Sequence, residues 1–208
     1  VKGAIRAYGN NITIRGRGIM DGFDWTWGAA PPGADGSNFV TIMTGDNIEV
    51  SGITYRGPWF WALNPRNCSD LVIRNVKVAG GRVQNDDGLN IRYSQRVLVE
   101  DCFIRTDDDC VAINASDPDL YESEDILVRN CVFWADRARA VFIANYGPTH
   151  HITFHNIDVI RTPEPPGVNP SWYIIEMWAN NGATLNNILF DDFRINDSGR
   201  ANMVHLQA

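Results

Sequence analysis

Two short blocks gather carboxylates where they could act together. Asn85-Asp86-Asp87-Gly88 runs into the apolar alternation ending at Ile91, and Asp107-Asp108-Asp109-Cys110 runs into the one ending at Ile113. With the two isoleucines side by side, Asp87 and Asp109 each stand four residues ahead of them, and Asp108 is adjacent. Carboxylates this close repel, so one pKa must rise while another stays low. A protonated carboxyl beside an ionised one is what cleavage of a glycosidic bond requires, one group releasing the leaving oxygen and the other activating water. On the same alignment Arg139 falls four residues before Ile143 and Trp59 four before Leu63. Arg139 could pair with Asp109 or hold a sugar acid. Trp59 offers a flat ring to a sugar face, as does Trp178 on a later segment. Asn85, which opens the first block, completes the substrate-binding candidates Asn85, Arg139, Trp59 and Trp178.

Asp87 and Asp108 lie 21 residues apart, so they meet only if the chain returns alongside itself within that span. A repeat supplies the return. Polar, apolar, any residue, apolar, then two turn-like residues recurs as Asn11-Ile12-Thr13-Ile14, as Asn47-Ile48-Glu49-Val50, and from Asp70, Arg96, Asp125, His151 and Asn187. The leading apolar residues Ile12, Ile48, Leu71, Val97, Ile126, Ile152 and Ile188 are separated by 36, 23, 26, 29, 26 and 36 residues. A second strand-like alternation lies between copies, and no segment carries a helical apolar stripe. Strand and corner alternating at this period predict an all-β fold, a single-stranded right-handed parallel β-helix of about seven rungs. Equivalent residues would then stack about 4.8 Å apart. The 208 residues make one β-helix domain, 1–208. From the opening Val1 and the strand-like ending, a fragment of a longer chain is the expectation.

Stacking also accounts for residues that resemble sites. Four places after each leading residue come Gly16, Gly52, Asn75, Asp101, Asn130, Asn156 and Asp192, a ladder of short polar corner residues. One place further come Val76, Cys102, Cys131, Ile157 and Phe193, so the two cysteines belong to an apolar column as buried thiols. Cys68 and Cys110 lack a C-x-x-C spacing, and no metal is expected. His150-His151 and His155 suggest a metal pair at first sight, but His151 and His155 flank corners with no acidic partner nearby and read as surface residues. Trp61 and Trp134 alternate with core positions and are expected to pack inside, whereas Trp25 and Trp27 lie in a Gly/Pro-rich insertion.

Composition narrows the function classes. With 18 Lys plus Arg against 25 Asp plus Glu the net charge is −7, which argues against a nucleic-acid partner. The chain has no apolar run of the ~18 residues that a membrane-spanning helix needs. A monomer acting on a polysaccharide or oligosaccharide, without a cofactor, is the expectation.

The Asp blocks carry a family resemblance. The sequence is similar to the polygalacturonase-type glycoside hydrolases of family 28, or to a near relative in the same pectin-lyase-like β-helix clan, which also holds dextranases. That family's N-T-D-G block matches Asn85-Asp86-Asp87-Gly88, its G-D-D-C block matches Asp107-Asp108-Asp109-Cys110, and Gly18-Ile19-Met20-Asp21-Gly22 resembles its approach to the core. The resemblance implies hydrolysis by single displacement with inversion, Asp108 as general acid, Asp87 with Asp109 holding the attacking water, and a secreted or periplasmic setting. Ala138-Arg139-Ala140 stands where the family has a histidine block, and Ile175-Glu176-Met177-Trp178 stands in the region of its R-I-K block. A neutral or differently decorated glycan is therefore as admissible as a pectic one. Two rivals share the fold. A calcium-dependent polysaccharide lyase would use the Asp cluster for Ca²⁺ and an arginine such as Arg139 as base. A non-catalytic spike or adhesin would only bind glycan.

Overall fold

A computed structural model describes residues 5–22, 39–80, 85–115, 122–145, 147–162, 173–180, 183–196 and 203–207. Trp25, Trp27 and Trp172 lie outside them. Every strand pairing among the described residues is parallel, and the pairings sort into three ladders that wind as a β-helix. The first joins Ile12, Ile48, Leu71, Val97, Ile126, Ile152 and Ile188 side by side, which is the register read from the repeat. The second joins Ile19, Thr54, Lys77, Phe103, Val132, Asp158 and Arg194. The third joins Ile5, Val40, Leu63, Leu89, Val111, Val141, Ile175 and Val204. No helix occurs among the described residues, so none is long and apolar enough to cross a membrane.

Period-two alternation sends one residue of each strand pair inward and the next outward. The inward set is apolar and nearly solvent-free: Leu71, Ile73, Val99, Val128, Ile143 and Phe154 are all fully buried. Rings continue the stack, with Phe154 face to face on Phe190 at 5.1 Å. Cys102 and Cys131 sit in this core as free thiols, between Val76 below and Ile157 above.

The corners explain the chain's wealth of Asn and Asp. Each leading residue follows a residue in the left-handed region, for example Asn47 (φ 56), Asp70 (φ 50) and Asp125 (φ 51). Four places on, Gly52 (φ 77), Asn75 (φ 51), Asp101 (φ 55), Asn130 (φ 54), Asn156 (φ 53) and Asp192 (φ 51) turn the chain again. Asn and Asp tolerate this conformation because a short polar side chain bonds locally. They also bond between turns: Asn130 Nδ2 donates to Asp101 Oδ1 at 3.3 Å, and Asn156 Nδ2 donates to Asn130 Oδ1 at 2.8 Å. The expected corner ladder is present.

Trp134 departs from expectation. Its ring lies on the outer face, partly exposed, under the Arg105 guanidinium at 4.5 Å, and its Nε1 donates to Asp136. Alternation places it opposite the buried Phe133, so the core holds Phe133 instead.

Candidate active site

The third ladder positions the acidic blocks. Leu89 pairs with Val111 and Val111 with Val141. Gly88 N donates to Asp109 O at 2.9 Å, and Cys110 N donates to Arg139 O at 2.9 Å. Asp87, Asp109 and Arg139 therefore enter consecutive turns at the same height, as read from the sequence. Gly88 is required between them: a Cβ there would lie 2.3 Å from Ile104 Cγ2 and 2.5 Å from Cys110 O.

Each carboxylate has a distinct environment. Asp87, 6% exposed, accepts a hydrogen bond from Asn90 Nδ2 at 2.7 Å, and Asn90 is itself held by Asn114 Nδ2 at 2.8 Å. Burial pushes the Asp87 carboxyl well above its ordinary range, and the charges of Asp109 and Asp108 add to the rise. Asp109, 4% exposed, is also raised by burial, to about 7, with Asp108 adding and Arg139 opposing. The Asp108 side chain is the most open of the three at 15%. Its Oδ2 accepts the Asn85 backbone N–H at 3.2 Å and faces Arg137 Nη2 at 3.6 Å. Asn85 is exposed and left-handed (φ 63) at the lip of this turn.

Arg139 is held by two carboxylates. Its Nη1 reaches both oxygens of Asp109 at 3.1 and 3.2 Å, its backbone N–H bonds Asp109 Oδ1, and its Nε bonds Glu176 Oε2. Glu176, 3% exposed, also accepts from Trp178 Nε1 at 3.1 Å and approaches His205 Nδ1 at 3.0 Å. Burial alone would lower the Arg139 pKa, but Asp109 and Glu176 outweigh it and hold the guanidinium above its ordinary value. The guanidinium also lies 4.0 Å from the Phe142 ring centroid. Of the two roles open to Arg139, pairing with Asp109 is the one the geometry displays. Trp178 flanks that pair, edge-on to Phe142.

Trp59 does not occupy the Asp87 column. Leu63 pairs with Leu89, not with Ile91, and Ala62 N donates to Asp87 O. The register thus sets Trp61 beside Asp87, while Trp59 Nε1 is bonded to Gly22 O at 3.2 Å. Trp61, expected in the core, is partly exposed, stacked on Phe60 at 4.7 Å, and 5.6 Å from the Arg92 guanidinium. The residue equivalent to Ile91 is Pro65. A proline can fill an inward apolar position as well as an isoleucine, so matching by residue type slipped two places.

Sequence reasoning also missed Asp86. Fully buried, its Oδ1 accepts the backbone N–H groups of Asp107 and Asp108 and so fixes the turn that presents Asp108. Thr106 Oγ1 donates to Asp108 O at 2.7 Å from the other side. Cys110 lies beneath, and burial pushes its thiol up to about 12, which suits packing rather than nucleophilic chemistry.

Residues 5–134 match the family model described as glycosyl hydrolases family 28. An exopolygalacturonase of Zea mays is 32% identical over 111 residues, covering 50% of this chain and 27% of the maize protein. A polygalacturonase of Saccharomyces cerevisiae is 28% identical over 110 residues, covering 50% of this chain and 29% of the yeast protein. The matched stretch thus spans under a third of either relative. Among solved structures, an exopolygalacturonase from Thermotoga maritima superposes with a TM-score of 0.67 at 18% identity, covering 82% of this chain and 38% of its own. A family 28 exopolygalacturonase of Yersinia enterocolitica gives 0.63 at 15% identity, covering 95% and 52%. These two likenesses establish the shared β-helix.

Proposed function

The chain belongs to the glycosyl hydrolases family 28, and from that membership we propose that it carries the catalytic carboxylates of an inverting polysaccharide hydrolase acting on a pectic or related glycan. The observation that carries the proposal is the register that sets Asp87 against Asp109 on successive turns, with Asp108 next to them. Burial, with the neighbouring carboxylate charges adding to it, raises the Asp87 and Asp109 carboxyls, so the site holds a proton to higher pH than a lone surface Asp would. Asp108, the most open, gives a proton to the glycosidic oxygen as the bond to the anomeric carbon breaks. Asp87 and Asp109 hold a water on the opposite face and accept its proton as it attacks, so configuration inverts in a single displacement.

Asn85, at the lip, and the rings of Trp61 and Trp178 contact the sugar in this reading. Arg139 orients Asp109 and is not a free cation for a uronate. The same geometry weighs against a lyase: a base must be able to stand neutral, and Arg139 is stabilised as a cation by two buried carboxylates. A panel of polygalacturonan, decorated pectin and neutral glucans, read for reducing ends and ultraviolet absorbance together, tests the proposal. New reducing ends without new absorbance are expected on a galacturonate-containing member. Absorbance from unsaturated ends would instead establish elimination, and no product on any glycan would leave only binding.

A further inference from the structure

The corner after the third-ladder strands holds a cluster that the proposed hydrolysis does not use. Glu124 pairs in register with His150 on the next turn. Adjacent strand residues normally point to opposite faces, but His151 is left-handed (φ 57), which swings its ring back toward His150. The two Nδ1 atoms lie 3.1 Å apart, and Glu124 Oε2 is 3.7 Å from His150 Nδ1. All three ligand atoms fall within 4.8 Å of one another. The expectation that these histidines lack acidic partners is thereby corrected: stacking supplies Glu124, and also Asp125 at 3.6 Å from His151.

We propose that Glu124, His150 and His151 form a site for a divalent transition cation of the zinc class, clamping two successive turns of the β-helix. Bond lengths of about 2.0–2.1 Å in a tetrahedron put ligand atoms about 3.3 Å apart, and the observed 3.1 and 3.7 Å straddle that edge. Two imidazoles with one carboxylate match zinc, whereas calcium and magnesium favour all-oxygen sets. An outer partner is also in place. His150 Nε2 lies 3.1 Å from Glu122 Oε2, so a proton on Nε2 donated to Glu122 leaves the Nδ1 lone pair facing the cluster. Glu122, Glu124 and Asp125 give the corner the negative charge a dication needs.

Titration of chelator-treated protein with ZnCl₂ against a colorimetric chelator, alongside thermal unfolding, tests the site. One tight equivalent and a raised Tm are expected, with neither given by CaCl₂ at the same concentration. His151→Ala and Glu124→Ala should each weaken zinc binding at least ~10-fold, and Glu122→Gln by ~10–100-fold. His155→Ala, a control on the exposed His155–Asp191 pair, should leave binding unchanged. No tight equivalent, equal binding of calcium, or zinc binding that tracks His155 instead of His151 would overturn the proposal.

Discussion

Asp109 and Glu176 are almost entirely buried, and the Arg139 guanidinium lies between them and bonds both. Removing one member of a buried ion group leaves uncompensated charge, which costs about 3–5 kcal/mol. Arg139→Ala should therefore lower the denaturant midpoint sharply, and loss of activity should follow loss of Asp109 orientation on neutral and acidic glycans alike. A selective loss on acidic glycans would instead make Arg139 a substrate ligand. The raised Asp109 pKa carries its own signature. A carboxyl held up to about 7 in the fold, against an ordinary value near 4, binds its proton more tightly when folded. Its contribution to stability is complete below pH ~4 and is lost as pH rises through ~7. Unfolding of wild type and Asp109→Asn compared across that window should show the variant gaining on wild type as pH increases. The placement of Asp87 beside Asp109 could be read from the sequence because their blocks recur one turn of the β-helix apart. Asp86 could not, because its role is to cap backbone N–H groups whose positions only the folded turn defines.

At the scale of the element, corner and strand were not equally legible. The first ladder follows the sequence register through every leading residue, since each is an inward aliphatic residue behind a polar corner. The third ladder has no such marker. Its inward positions take Ile42, Pro65, Ile91 and Met177 alike, and only backbone hydrogen bonds decide that Trp61, not Trp59, abuts Asp87. The corners allow a clean test. Asn130 is left-handed and links Asp101 to Asn156 through its side chain. Asn130→Ala should cost about 1–2 kcal/mol from the strained backbone. Asn130→Gly relieves the φ penalty and should cost less, as read by Tm. Equal losses would show that the side-chain ladder, not backbone conformation, dominates the corner.

Over the whole molecule, the proposed function depends on stacking. Asp87 belongs to one turn and Asp108 with Asp109 to the next, and no turn alone carries the cluster. The β-helix supplies both the ~4.8 Å step that crowds the carboxylates and the buried floor that raises the pKa values of Asp87 and Asp109. The most direct test is steady-state hydrolysis by Asp108→Asn beside wild type on the best glycan of the panel, with kcat and KM separated. The substitution keeps the shape and removes the transferable proton. The three-carboxylate account predicts that kcat falls by ~10²–10⁴ while KM stays close to wild type. Near-full hydrolysis by Asp108→Asn would contradict it.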